Sequence, residues 1–222
     1  MATKTSAPRA AKTQRSPRIS NRDRILAAGI KLFAEHGPDA TSVSMISEAS
    51  GLNRRMLYHY FGSKEGLYEE VLKAMYDRMN SVDVDLAHML LPAEELLKKI
   101  IQGYYRFLNE NPEFVRILSW ENLRHGRTAK AIDVAAVKAP LIKALGVSLQ
   151  MGARDGRFRS DVDENQLLIS CMALSFFFFS NQYTLSMLLG KDIHAPRLLE
   201  QRVNHVTQLI LEGILIKQPT PA

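Results

Sequence analysis

The chain has 222 residues, 46% of them apolar and 23% charged. These are the proportions of an ordinary soluble globular protein, long enough for one sizeable domain or a small module joined to a larger one. A single cysteine, Cys171, excludes an internal disulfide framework and a cysteine-rich zinc site. The net charge of +6 is uneven: residues 1–80 hold 13 Lys and Arg against 8 Asp and Glu, and the rest hold 16 against 15. Such asymmetry suits either polyanion binding or a solvated basic face.

Residues 1–19 open the chain as a basic arm. Lys4, Arg9, Lys12, Arg15 and Arg18 stand among Ala, Ser, Thr and Pro without one acidic residue. That composition buries too little apolar surface to fold, so disorder is expected. The arm lacks the apolar core of a secretory signal. It shares its composition with organellar transit peptides, but not their apolar helical face.

Helical periodicity begins at Ser20. Ile25, Leu26, Gly29, Leu32 and Phe33 form one stripe, with Ser20 or Asn21 as cap and Gly37-Pro38 as stop. Val43, Ile46 and Ala49 recur every three residues behind a Thr41 cap, and Gly51 ends this second helix. Asn53 caps a third, running to about Tyr60. Ser63 opens a long fourth helix carrying Leu67, Val71, Met75 and Met79.

The remainder also reads as helix. Pro92 opens a segment with Leu97, Ile101, Tyr104 and Leu108 in step, and Pro112 opens another with Phe114, Ile117, Leu118 and Trp120. Residues 129–156 continue with a kink expected at Pro140. Helices over 164–189 and 196–216 bring the total to about nine. No alternating run is bounded by hairpin turns, so no sheet is expected. Residues 165–190 carry no charge, a length that permits a membrane span. Asn181 and Gln182 within that run argue instead for a helix buried on both sides inside the protein.

The third helix carries the chemistry. Three helices with a tight Ser50-Gly51-Leu52 turn between the second and third have the layout of a helix-turn-helix unit, whose third helix enters the DNA major groove. Arg54 and Arg55 occupy its first turn, where a guanidinium can meet the O6 and N7 acceptors of guanine. Tyr58, His59 and Tyr60 follow a turn later, with polar tips suited to phosphate oxygens. Lys64 lies at the start of the fourth helix, whose free N–H groups also favour phosphate. The alternative is an amphipathic helix with a wet basic side.

The stretches RILAAGIKLFAEHG and TSVSMISEASGLNRRMLYHYFGSKEGL resemble the DNA-binding domain of the TetR family of transcriptional repressors over about residues 20–70. The T-V-x-x-I step appears as Thr41/Ser42-Val43 and Ile46. The ending L-Y-x-Y-F-x-S-K-E-x-L is complete from Leu57 to Leu67. The resemblance implies a DNA-binding domain over residues 20–66 and a C-terminal domain over 67–218 that binds a small ligand and dimerises. It also implies phosphate contacts from Thr41 and Ser42, with plain capping as the rival role for Thr41. Asn53 stands where the family usually has Ser. Arg55 and Met56 stand where Gly or Ala and Thr are common, departures that bear on the target sequence.

In the larger half, Leu199, Val203, Val206, Ile210 and Gly213 recur at four-three spacing. This seam suits a partner helix, or ordinary intrachain core. Tyr104, Trp120, Arg124, Met172, Phe176 and Tyr183 are candidates for lining a ligand cavity. No G-x-G fingerprint, P-loop or G-x-S-x-G elbow occurs, and the six histidines lack metal-ligand spacing. The sequence thus points to an all-α homodimer that is not an enzyme. It would be cytoplasmic, free of membrane, cofactor and metal, and would bind double-stranded DNA and a small-molecule effector. The competing reading is a helical protein-interaction module with a basic arm.

Overall fold

The computed structural model describes residues 19–87 and 91–216. Within them ten α-helices succeed one another: α1 Asn21–Ala40, α2 Val43–Ser50, α3 Arg54–Phe61, α4 Lys64–Ala87, α5 Ala93–Glu110, α6 Pro112–Leu123, α7 Val134–Arg154, α8 Glu164–Ser180, α9 Gln182–Leu189 and α10 Pro196–Ile214. A 3-10 turn at Ala129–Ala131 precedes α7. Among the described residues the extended pairing is one isolated antiparallel bridge, Phe158 with Leu215. The basic arm expected over residues 1–19 lies outside the described residues, Ile19 excepted.

Local chemistry sets most helix starts. Ser20, Asn53, Asp133 and Asp163 each accept from the backbone N–H three residues on, at 2.9–3.1 Å. Each such cap contributes about 1 kcal/mol. The start of α2 differs from expectation: Ser42 is the cap, its Oγ accepting from Met45 N at 3.2 Å. Gly37, with φ of 77°, bends the path of α1 where a stop was expected, and the helix resumes to Ala40.

The larger half is organised around α5. Its inward stripe, including Leu97, Ile100, Ile101, Tyr104 and Leu108, is buried. The helix packs against α4, α6, α7, α8 and α10. Truncating one such aliphatic residue to Ala costs about 2–5 kcal/mol.

One expectation is corrected here. The helix expected over 164–189 is two helices, α8 and α9, bent by 75° at Asn181. Asn181 ends one and begins the next: its side chain donates to Phe177 O at 3.2 Å, and its carbonyl accepts from Leu185 N at 2.9 Å. Local amide bonding of this kind competes with helix continuation, and it raises the count from about nine helices to ten. In addition, α7 runs through Pro140 as one element. The carbonyl that Pro140 leaves unbonded belongs to the exposed Ala136, in the first turn.

Candidate nucleic-acid interface and its link to an apolar cavity

Alternation of faces along α3 follows from its sequence. Leu57 and Phe61, four residues apart, are buried, while Arg54, Arg55, Tyr58, His59 and Tyr60 are exposed. Met56 is half-buried and packs on the core. Arg54 Nη2 donates to Ser44 Oγ on α2 at 2.7 Å, which fixes its direction across the two helices. His59 and Tyr60 meet edge to face, with ring centroids 5.0 Å apart. The outcome is a ribbon of two guanidinium groups followed by three ring-borne polar tips.

The turn before α3 is held from several sides. Gly51 takes the left-handed conformation, φ 65°, which glycine adopts without steric cost. Arg24 Nη2 on α1 donates to Ser50 O at 2.7 Å, and Ser47 Oγ donates to Leu52 O. Arg22 pairs with Glu70 of α4 and lies 5.3 Å over the Phe61 ring. These ties fix α3 against both α1 and α4.

Two residues expected to meet phosphate are committed elsewhere. Thr41 is 1% exposed, and its Oγ1 donates to Gly37 O at 2.7 Å. Lys64 Nζ donates to Pro38 O at 2.8 Å and to Thr41 O at 3.0 Å. It therefore closes the carbonyl end of α1, where a cation also complements the helix dipole. Ser42 and Asn53, by contrast, stay at the exposed N-terminal ends of α2 and α3.

Beside α4 lies a network that sequence reasoning missed. Glu121 near the end of α6 is 2% exposed, yet its carboxylate accepts from Tyr68 Oη at 3.1 Å and from the backbone N–H groups of Thr128 and Ala129. Arg124 stacks 5.4 Å over the Tyr68 ring and reaches Asp39 at 3.4 Å. Burial, then the Glu121 charge, pushes the Tyr68 hydroxyl well above its ordinary pKa. Trp120 fills the space over Gly37, where a Cβ would come within 3.0 Å of its ring. Through these groups α6 is locked to the end of α1 and the start of α4.

Of the six candidate ligand-lining residues, the structure brings three together. Tyr104, Met172 and Phe176 line a cavity of about 380 Å³ among α4, α5, α6, α7 and α8. Trp120 and Tyr183 line a separate groove beside α1, and Arg124 borders a third, polar one. The sequence reading also missed Tyr76, Met79 and Lys138 in the cavity wall. Lys138 was legible in principle: its spacing from Val134 and Leu141 places it on the inward face of α7.

The seam on α10 is corrected as well. Val206 is fully buried and Ile210 nearly so, while Leu199 and Val203 pack on the same core. The four-three pattern is the intrachain face of the helix. Its outer side exposes Gln201, His205, Gln208 and Leu209.

A short recognition helix set by an α-helical scaffold, joined through α4 to a cavity-bearing helical unit, defines a helix-turn-helix DNA-binding regulator. Two family models match. Residues 25–71 fit "Bacterial regulatory proteins, tetR family", and residues 92–210 fit "Tetracyclin repressor-like, C-terminal domain". The chain belongs to the TetR family of transcriptional regulators. It is 31% identical over 194 residues to the transcriptional repressor NicS of Pseudomonas putida, covering 87% of this chain and 92% of that protein. It is 27% identical over 149 residues to the transcriptional repressor KstR2 of Rhodococcus jostii, covering 67% and 72%. Its fold is similar to the crystal structure of PfmR from Thermus thermophilus, with TM-score 0.67 and 24% identity over 90% of this chain and 100% of that one.

Proposed function

We propose that this regulator is a cytoplasmic homodimeric repressor of a two-fold operator, released when a small molecule enters the cavity. The observation that carries the reading is the course of α4. At one end Lys64 holds the close of α1 and the helix packs against α3, and further along Tyr76 and Met79 line the cavity. One rigid element thus touches both the reading head and the effector site. Repressor activity is supported by the relatives described above.

In this reading Arg55 reaches a base edge, as does Arg54 from its seat beside Ser44. Tyr58, His59, Tyr60, Ser42 and Asn53 meet the backbone, which fixes register rather than sequence. Met56, half-buried, limits how closely α3 approaches the groove. The second copy sits on α8 and α10, where Phe177 is 55% and Leu209 49% exposed. Large apolar groups left in water suit burial in a dimer.

Sequencing DNA fragments retained by the purified protein from a random duplex pool tests the reading. A two-fold sequence with half-sites about one helical turn apart is expected. Failure to retain any duplex would favour a helical protein-interaction module.

A further inference from the structure

The two arginines that open α3 are not equivalent. Arg54 Nη2 donates to Ser44 Oγ of α2 at 2.7 Å, and both residues are exposed. No such bond holds Arg55, its exposed neighbour, among the described residues. Ser44 sits in the first turn of α2, one residue after Val43 opens it. The turn between α2 and α3 is itself tied down, by Arg24 to Ser50 O and by Ser47 to Leu52 O. The Ser44 hydroxyl therefore keeps a fixed place beside the first turn of α3.

We infer that Ser44 is a specificity-determining positioning residue, which aims the Arg54 guanidinium at a base edge without reading the sequence itself. This rests on α3 being the reading helix of the regulator proposed above. An exposed arginine samples many rotamers, and the freedom it loses on docking weakens the contact it makes. A tether present in the free protein removes part of that loss beforehand. The guanidinium has five N–H donors in a planar fork, so one bond to Ser44 leaves enough for the paired contact with guanine O6 and N7. The nature of the tether matters as well. A hydroxyl is neutral and directs the guanidinium without cancelling its charge, and the first turn of α3 holds no acidic residue. A carboxylate in the same place would neutralise Arg54 and repel the phosphates on either side of the groove.

The test is competition gel shift of the full-length protein on the duplex it selects from the random pool, beside a panel carrying each single base-pair change in a half-site. Arg54→Ala locates the base pair at which that arginine acts. Ser44→Ala should lower discrimination at the same base pair by about two- to tenfold, the worth of one ordinary hydrogen bond, and leave the other positions as they were. Alanine suits an exposed helix position, so the fold should hold. Ser44→Thr keeps the hydroxyl and should keep the discrimination. Adding Ser44→Ala to Arg54→Ala should change nothing further, because residues that act as one unit are not additive. Unaltered preference in Ser44→Ala, or an equal loss in Ser44→Thr, would overturn the inference. So would an Arg54→Ala protein that keeps full preference. Equal weakening of Ser44→Ala on every duplex would also overturn it and make Ser44 a plain phosphate contact. A wild type that retains no duplex defeats the regulator itself, whereas these results on a retained duplex defeat only the role of Ser44.

Discussion

The hydroxyl of Tyr68 on α4 donates to the carboxylate of Glu121 on α6 across 3.1 Å, in a place where that carboxylate is 2% exposed. A buried acceptor stripped of one donor loses about 1–3 kcal/mol. For a chain of this size each kcal/mol lowers the melting temperature by about 2–4 °C. Tyr68→Phe should therefore melt about 2–12 °C lower near neutral pH, as read by circular dichroism.

The same pair sets an alkaline dependence. The folded Tyr68 hydroxyl is held above its ordinary value of 10.0, first by burial and then by Glu121. Unfolding lets it ionise at that ordinary value, so above about pH 10 the unfolded state binds fewer protons and gains. The stabilisation is complete below pH 10 and is lost as pH rises from there. Denaturant midpoints between pH 9 and 11 should fall more steeply in the wild type than in Tyr68→Phe. Parallel slopes would show that Tyr68 titrates alike in both states.

On α3, Arg55→Ala should cost about 1–3 kcal/mol of specific binding per half-site and relax preference at one base position. Arg54→Ala should do the same with an added loss of order, because it also breaks the bond to Ser44. Gel-shift titration on operator and scrambled duplexes reads both effects. Unaltered preference in both variants would move base readout to Tyr58 and His59.

Lys64→Ala should act mainly on stability. Its ammonium closes two carbonyls, Pro38 O and Thr41 O, and bonds to a charged group contribute about 1.5–3 kcal/mol. The melting temperature should fall while the dependence of DNA affinity on salt keeps its slope. A shallower slope, by about 0.9 per phosphate lost, would return Lys64 to the DNA surface.

Two aspartate substitutions separate core from dimer face. Val206→Asp places an unpaired charge at a fully buried site and should unfold the chain. Phe177→Asp adds a charge at a residue 55% exposed, so the fold should survive and sedimentation should report monomers. A fully dimeric Phe177→Asp protein would place the interface elsewhere.

Legibility in the sequence followed locality. Helices marked by Pro, Gly and short polar caps were readable, and so was the inward stripe of α4, since each depends on a few neighbouring residues. The α8–α9 break was not, because Asn181 acts through its own amide inside an apolar run whose period gives no warning. The α10 seam repeats equally well for a partner helix or for α5, and only the packing of Val206 and Ile210 decides. Thr41 and Lys64 carried the chemistry of phosphate contact. Their commitment to carbonyls of α1 is a long-range fact that no local pattern records. Glu121 and Tyr68 lie far apart in the chain, and their pairing was invisible for the same reason.

The uninterrupted α4 has a mechanical consequence. From Lys64 to Tyr76 it forms a lever about 18 Å long, at 1.5 Å per residue. A tilt of about 6° pivoting at the cavity end swings the other end by about 2 Å. In a two-fold pair the swings oppose, and the reading heads separate or close by about 4 Å. That exceeds the 3.4 Å step between successive base pairs, so a small angular change suffices to put two half-sites out of phase with the groove.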